Sequence, residues 1–178
     1  MAVYKSPLKW LKVSLVLIAS SLYIATPLPV SAAVAQLNFQ PTGSSIPAGY
    51  LKDDGSTYTT ARGYGWISGS VYTRDRDTNP DQRLDTFLFT DGVATWQYDI
   101  PNGSYVVSFA SGDASNQQGP HRVVAEGVVA INNVPTGANQ FITVTALPVT
   151  VSDSKLTITI GGGGGAHTML NYLTINAQ

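Results

Sequence analysis

The sequence lacks cysteine altogether, which excludes disulfide bonds and thiolate metal sites. It is also poor in the groups that most often catalyse reactions, with two histidines and with Glu126 as its single glutamate. Charged residues make up only 12% of the chain. After the first 32 residues, no apolar run reaches the length of about 20 residues that a transmembrane helix needs. We therefore expect a fold stabilised by apolar packing, with no membrane span beyond the N-terminal segment.

That N-terminal segment is typical of a secretory signal peptide. Its positively charged start contains three lysines, Lys5, Lys9 and Lys12. An apolar stretch follows at residues 13–25, and small residues near 30–35 fit the rule for signal peptidase cleavage. We predict a signal peptide over residues 1–32, with cleavage as late as residue 35, and a secreted protein, either extracellular or periplasmic. An uncleaved N-terminal anchor is the alternative.

The charge of the remaining chain limits its partners. Three of the 10 Lys and Arg lie in the signal peptide, so seven remain against 11 Asp and Glu, and the net charge changes from −1 to −4. This acidic balance argues against nucleic acid and anionic membrane surfaces as partners. Residues 36–178 are long enough for one domain with a sizeable core, and we predict a single domain there.

The composition of that region predicts an all-β fold. Short stretches rich in Val, Ile, Thr, Tyr and Phe alternate with Gly, Pro, Ser and Asn, as in strands joined by turns. We predict a two-sheet antiparallel β-sandwich, a jelly roll of about eight strands. The predicted strands cover residues 37–40, 83–90, 95–100, 104–111, 122–131, 140–151, 155–160 and 167–175. The pair Asn102-Gly103 predicts a tight hairpin turn. The aromatic-rich segment between Phe39 and Arg83 is predicted to be an ordered loop.

Several segments, taken together in order, resemble one group of extracellular domains. They are Leu37–Pro41, Pro47–Leu51, Tyr64–Trp66, Arg74–Arg76, Asp81–Thr86, Ile100–Tyr105, Gly112–Asp113, His121–Val123 and Asn171–Ile175. The chain is similar to the galactose-binding-like domains of malectin-like type, which are related to carbohydrate-binding modules of bacterial extracellular proteins. This resemblance implies a jelly roll whose first and last strands lie side by side. It also implies non-catalytic carbohydrate binding.

Residues of two kinds serve to bind sugars. Flat aromatic rings pack against the C–H faces of a pyranose, and planar polar groups pair with its hydroxyls. The candidate ligand-binding residues are Tyr58, Tyr64, Tyr72, Arg74, Asp75, Arg83, Asp85 and His121. Arg83 and Asp85 are predicted to share one face of a strand, since they are two residues apart. Core packing is the alternative for Tyr58, Tyr64 and Tyr72, and a structural role is the alternative for Arg83 and Asp85. For His121 a structural role is favoured over a hydrogen bond at the pocket edge, and Trp66 and Trp96 are predicted to be core residues.

An alternation of oxygen-bearing side chains suggests a calcium loop. The candidate ligands are Asp75, Asp77, Asn79 and Asp81. The pattern departs from the EF-hand, because Pro80 takes the place of the required glycine and Thr86 that of the final glutamate. A salt-bridge network with the neighbouring arginines is the alternative. A structural Ca²⁺ ion elsewhere in the domain is a separate hypothesis.

No complete catalytic constellation is found in the sequence. The run Gly112–Ser115 resembles the nucleophile block of secreted ester hydrolases, but Ala114 interrupts it. His167 follows five glycines, a poor position for a base that must be held in place. Glycosidases need two opposed carboxylates, and we identify no such pair. The chain is therefore predicted not to be an enzyme.

The leading hypothesis is a secreted, non-catalytic domain that binds an oligo- or polysaccharide through loop aromatics and Asp and Arg groups. The first alternative is a structural or adhesive protein of the envelope or matrix that binds a protein partner. The weakest alternative is an ester hydrolase of unrecognised type.

Overall fold

The computed structural model describes Met1 and residues 33–178, so the predicted signal peptide, apart from Met1, lies outside the described residues. None of the described helices is long and apolar enough to cross a membrane.

Residues 33–178 form 13 strands and one short helix. These are β1 (Ala33–Phe39), β2 (Leu51–Asp53), β3 (Tyr64–Ser68), β4 (Tyr72–Asp75), α1 (Gln82–Asp85), β5 (Thr86–Thr90), β6 (Val93–Asp99), β7 (Gly103–Asp113), β8 (Gln118–Ala125), β9 (Val128–Thr136), β10 (Gln140–Val151), β11 (Lys155–Gly161), β12 (Thr168–Leu170) and β13 (Tyr172–Ala177).

The strands form the predicted β-sandwich. One five-stranded sheet has the order β10-β7-β13-β1-β2, and the other has the order β3-β6-β11-β8-β9. A third sheet of three short strands has the order β12-β5-β4. Strand β1 pairs antiparallel with β13, with Leu37 opposite Leu173. The first and last strands therefore lie side by side, as the resemblance implies.

The core lies between the two large sheets, where alternate side chains of each strand point inward. Phe39 of β1 packs edge-on against Trp66, with ring centroids 6.2 Å apart, and against Trp96 at 6.0 Å. Trp66 and Trp96 are buried, which confirms their predicted place in the core. Their indole nitrogens donate to the buried carboxylate of Asp53, at 3.1 and 2.7 Å. Burial raises the pKa of Asp53, although these hydrogen bonds oppose the effect.

The predicted hairpin at Asn102-Gly103 is wrong. Strands β6 and β7 on either side of it belong to different sheets, so the turn is a crossover between the sheets. A hairpin turn instead divides the single strand predicted at 122–131 into β8 and β9. Glu126 and Gly127 both have positive φ, 46° and 76°, as in a type I′ turn, and Ala125 pairs with Val128 across it.

The strand predicted at residues 83–90 begins only at Thr86. Asp81 accepts a hydrogen bond from the backbone N–H of Arg83 and caps the single helical turn α1. Arg83 and Asp85 therefore do not share a strand face. The predicted ordered loop between Phe39 and Arg83 contains β2, β3 and β4, which accounts for part of the difference between eight predicted strands and the observed 13.

Candidate functional site

The outer face of the three-stranded sheet carries an aromatic cluster separate from the core. In β5, Leu88 points into the core, whereas Phe87 and Phe89 point to the opposite side. Tyr72 lies opposite Phe89 in the neighbouring strand, with ring centroids 5.4 Å apart, and Met169 lies opposite Phe89 on the other side. Phe87 is fully buried, but Tyr72 remains 48% exposed. The sheet thus presents aromatic surface at the protein exterior.

Two arginines cover these rings. The guanidinium carbon of Arg74 lies 5.2 Å from the Phe89 ring centroid, and that of Arg76 lies 5.2 Å from the Phe87 ring centroid. Residues 72, 74 and 76 alternate along the chain, which places their side chains on the same face. Cationic groups over aromatic faces gain from the ring quadrupole. The arginines therefore form part of a preformed polar and aromatic surface.

Arg76 is held in place by a buried carboxylate. Its Nε and Nη2 donate to Asp113 at 3.0 and 2.6 Å. Asp113 also accepts from the backbone N–H of Ser115 at 2.8 Å and from the side chain of Gln118 at 3.1 Å. Burial alone would raise the pKa of Asp113, but these hydrogen bonds outweigh it, so the pKa lies below its ordinary value. The carboxylate stays ionised at neutral pH and fixes the Arg76 fork.

A concave pocket of about 370 Å³ opens over this face. Its wall consists of Arg74, Arg76, Phe87, Phe89, Asp91, Gln118, His167 and Met169. At one end, Nδ1 of His167 lies 3.0 Å from Oδ1 of Asp91, and both side chains are more than half exposed. The volume is in the range of small-molecule sites, about 300–1,000 Å³. We define this set of lining residues together with Tyr72 as the arginine–aromatic pocket.

An acidic triad lies at the end of β4. Carboxylate oxygens of Asp75, Asp77 and Asp85 all lie within 4.8 Å of one another. This is a candidate site for a metal ion, and it shares Asp75 and Asp77 with the predicted calcium loop. Asn79 and Asp81 are engaged elsewhere: the Asn79 amide donates to Asn139 at 3.2 Å, and Asp81 pairs with Arg83 at 2.6 Å.

Asp85 also organises the loop before it. It is almost fully buried, and its oxygens accept backbone N–H groups of Asp77, Thr78 and Asn79 at 2.8, 2.9 and 2.6 Å. These hydrogen bonds, against the opposing effect of burial, leave the pKa of Asp85 below its ordinary value. Oδ1 also accepts the Thr78 hydroxyl at 3.4 Å, whereas in the described part of the chain Oδ2 accepts only the Asp77 N–H, so the second lone pair of Oδ2 remains for a cation.

The predicted tyrosines do not share one surface. Tyr58 lies with Asp99 and Lys155: its hydroxyl is 2.9 Å from Oδ2 of Asp99, and Lys155 Nζ lies 4.4 Å from its ring centroid. Tyr64 is half-buried at the edge of the core and stacks on Tyr98, with centroids 6.1 Å apart. Of the three tyrosines, only Tyr72 belongs to the arginine–aromatic pocket.

Arg83 lines a different groove, of about 620 Å³, with Tyr50 and Asp81 among its other residues. Its guanidinium pairs with Asp81 at 2.6 Å and lies 5.3 Å from the ring centroid of Tyr172. The predicted ligand-binding set is thus divided: Tyr72 and Arg74 meet in the pocket, Asp75 and Asp85 meet in the acidic triad, and Arg83 lies in this groove.

His121 is fully buried behind the pocket. Its Nε2 lies 2.9 Å from Oγ1 of Thr136, and its Nδ1 accepts the backbone N–H of Met169 at 3.4 Å. Burial lowers the pKa of His121 to about 4, so it is neutral at physiological pH. Within the described residues, no hydrogen bond joins His121 to Ser115, whose hydroxyl instead meets that of Thr78 at 3.1 Å.

Sequence reasoning missed most of the pocket wall. The alternation of Phe87 and Phe89 is visible in the sequence, as is that of Arg74 and Arg76. Nothing in the sequence shows that these two stretches are neighbouring strands, or that His167, almost 80 residues later, joins them.

No family matches the chain, and no curated protein matches it. Solved structures do match its fold. Protein YXIM of Bacillus subtilis aligns with a TM-score of 0.62 and 24% identity, over 81% of this chain and 40% of that chain. Bacteroides uniformis β-glucuronidase 2 aligns with a TM-score of 0.55 and 14% identity, over 81% of this chain and 18% of that one. The plant receptor-like kinase FER aligns with a TM-score of 0.57 and 12% identity, over 81% and 42%.

These likenesses show a β-sandwich fold, in agreement with the galactose-binding-like architecture that the sequence resembles. The chain spans less than half the length of each of these three proteins.

Proposed function

We propose that this protein is a secreted, non-catalytic carbohydrate-binding domain and that it binds its glycan in the arginine–aromatic pocket. The observation that carries the proposal is the pairing of exposed aromatic surface, at Tyr72 and Phe89, with the two guanidinium groups of Arg74 and Arg76. An aromatic ring offers a flat face to the C–H groups of a pyranose, and guanidinium N–H groups donate to its hydroxyls.

The fold supports this proposal. One of the similar structures is a β-glucuronidase, and the part that aligns with this chain is 18% of that enzyme. A sandwich of this kind therefore occurs within a longer glycosidase. Binding energy in such a pocket comes from the rings and the forked hydrogen bonds, neither of which requires a catalytic group.

A glycan array, followed by calorimetry on the polysaccharides that bind, tests the proposal. Tyr72→Ala is expected to reduce affinity about 5- to 150-fold, because loss of one stacking ring costs about 1–3 kcal/mol where a nucleic-acid base stacks on an aromatic side chain. Tyr58→Ala is the matched control: it removes the same side chain at a distant surface and should leave affinity unchanged.

Two results would reject the proposal in different ways. If no glycan binds at high protein concentration, carbohydrate recognition is wrong, and the structural or adhesive alternative with a protein partner replaces it. If a glycan binds and Tyr72→Ala has no effect while Tyr58→Ala abolishes binding, the function stands but the site is wrong.

We also propose that the acidic triad binds Ca²⁺. Hard oxygen ligands are those that Ca²⁺ prefers, and Asp75, Asp77 and Asp85 bring three carboxylates together. Among the solved structures with a similar fold is a calcium-binding mutant of the same β-glucuronidase, with a TM-score of 0.53. When bound, the ion would neutralise repulsion among the carboxylates and hold the loop between β4 and α1.

Thermal unfolding with Ca²⁺ and with a chelator tests this proposal separately from sugar binding. We expect Ca²⁺ to raise the Tm, because a ligand that binds only the folded state stabilises it. Asp77→Asn should abolish the shift, because it removes one of the three carboxylate charges. The variant should fold normally, since Asp77 is exposed and asparagine tolerates its positive φ of 53°. Asp91→Asn, at the far end of the pocket, is the control. An unchanged Tm in millimolar Ca²⁺ would reject the ion.

A further inference from the structure

We infer that the pocket selects an anionic saccharide, one that carries a carboxylate or a sulfate, and that Arg74 is the residue that binds the anion. This inference rests on the proposed function and names the class of glycan. It begins from the unequal bonding of the two arginines that line the pocket.

Arg76 already has an anionic partner. Two of its nitrogens donate to Asp113, which is fully buried, so its positive charge is balanced within the protein. Arg74 has no such partner: among the ion pairs of residues 33–178, none includes Arg74. Its only side-chain hydrogen bond is from Nη1 to the backbone oxygen of Thr73, at 2.8 Å. A guanidinium has five N–H donors, so most of those of Arg74 remain available.

Two contacts orient the exposed Arg74 side chain, although it has no ion-pair partner among residues 33–178. The guanidinium lies 5.2 Å from the Phe89 ring centroid, and Tyr72 packs against that same ring from the opposing strand. The hydrogen bond to Thr73 holds one end of the fork. An arginine that is already ordered loses less conformational freedom when it binds a ligand.

The pocket is also polarised along the sheet. Arg76 lies over Phe87 at one end and Arg74 over Phe89 in the middle. The only carboxylate in the wall, Asp91, lies at the other end beside His167. Along a strand, position 91 is about 13 Å from position 87. An anion placed between the two guanidinium groups therefore lies away from Asp91, while the rest of the sugar extends over the rings.

This local arrangement contrasts with the rest of the molecule. The chain beyond the predicted signal peptide has seven Lys and Arg against 11 Asp and Glu. Non-specific attraction of polyanions is therefore not expected. An anionic ligand must be recognised at a specific point, and hydrogen bonds from a guanidinium to an anion are about twice as strong as neutral ones.

The test compares one sugar with and without its charge. The probes are an oligogalacturonate and the same oligosaccharide fully methyl-esterified, measured by calorimetry on the whole protein. We expect the acid to bind about 10–100-fold more tightly than the ester, the range expected for a charge-assisted hydrogen bond. Arg74→Gln should remove this preference, so that the acid and the ester bind this variant with affinities within about twofold of each other.

Arg83→Gln is the control, because it removes the same charge from the separate groove and is also part-exposed. It should leave the preference for the acid intact. The Tm of each variant shows that it folds. A second arm uses a sulfated galactan against its desulfated form: preference for the sulfated form alone identifies sulfate as the anion, and preference for the uronate alone identifies carboxylate.

Equal affinity for charged and uncharged forms in both arms would overturn this inference. The proposed function would survive that result if Tyr72→Ala still reduced affinity for the glycan and Tyr58→Ala did not. The inference would also be overturned if Arg83→Gln removed the preference for the acid and Arg74→Gln did not. That result would place the anion in the groove that contains Arg83.

Discussion

The protein contains two aromatic clusters, and what covers each of them differs. In the core, Trp66 and Trp96 pack around Phe39 and are sealed between two sheets. On the outer face of the small sheet, no second sheet covers the rings: the Arg74 guanidinium lies over Phe89, and Tyr72 is 48% exposed. The residue types are similar, so aromatic content alone does not identify a binding surface. A ring at the protein exterior, beside a solvated guanidinium, can contact a ligand, whereas a ring beneath a second sheet cannot.

A buried carboxylate lies beside each cluster, and the pKa values of the two carboxylates shift in opposite directions. Asp53 accepts neutral indole N–H groups, and burial raises its pKa. Asp113 is equally buried but faces Arg76, and the hydrogen bonds it accepts lower its pKa. Hydrogen bonds from neutral donors also favour the ionised form, but burial outweighs them at Asp53, whereas at Asp113 the hydrogen bonds, with that of the charged Arg76 the largest, outweigh burial. The core carboxylate therefore serves packing, and the pocket carboxylate keeps an arginine in position.

The largest effect on stability is expected at the core cluster. Asp53→Ala leaves two buried indole N–H groups without an acceptor, at a cost of about 1–3 kcal/mol each. We expect a loss of about 2–6 kcal/mol in the free energy of unfolding, measured by urea denaturation. Asp54→Ala is the control, because it removes a partly exposed carboxylate one residue away and should cost less than about 1 kcal/mol. Equal losses in the two variants would show that Asp53 does not anchor the indoles.

A smaller loss is expected where Asp113 holds Arg76. Asp113→Asn keeps the side-chain shape but removes the charge. We expect a loss of about 1–3 kcal/mol in the free energy of unfolding at pH 7, and the loss is limited because Arg76 is partly exposed. The pKa of Asp113 is lower in the folded state than its ordinary value of 3.8. Its stabilising contribution is therefore present above pH 3.8 and disappears as the pH falls through the folded-state pKa.

Urea denaturation of the protein and of Asp113→Asn across this pH range measures that contribution. The difference in unfolding free energy should be constant from neutral pH to about pH 5 and should shrink below pH 3.8. A difference that grows on acidification would contradict the lowered pKa.

The core could be predicted from the sequence, and the pocket could not, for a physical reason. The family resemblance placed Trp66 inside, and alternation with Tyr98 on a strand placed Trp96 there, because burial along a strand depends on local pattern. The alternation around Phe87 and Phe89 was also visible. Which strands lie beside β5 depends on long-range pairing, because one neighbour, β4, precedes β5 in the sequence and the other, β12, follows it much later.

The error at Arg83 and Asp85 has a more local cause. The alternation of polar and apolar residues from Arg83 onward suits a strand, but Asp81 caps a helical turn and delays the strand to Thr86. That turn buries Asp85 under the loop, where it replaces Asn79 and Asp81 in the acidic cluster. One capping interaction thus changes which carboxylates meet.

The smallest effect on stability is expected at Tyr72, and it separates a binding surface from a second core. Tyr72 is 48% exposed and packs on one side against Phe89. Tyr72→Ala removes an aromatic pair worth about 0.5–1.5 kcal/mol beyond its buried area. We expect a loss of about 1 kcal/mol in unfolding free energy, below that of Asp53→Ala, together with the large loss of glycan affinity proposed above. If Tyr72→Ala destabilises the protein as much as Asp53→Ala does, the outer cluster is a packing element, and reduced binding in that variant would reflect loss of structure rather than loss of a contact.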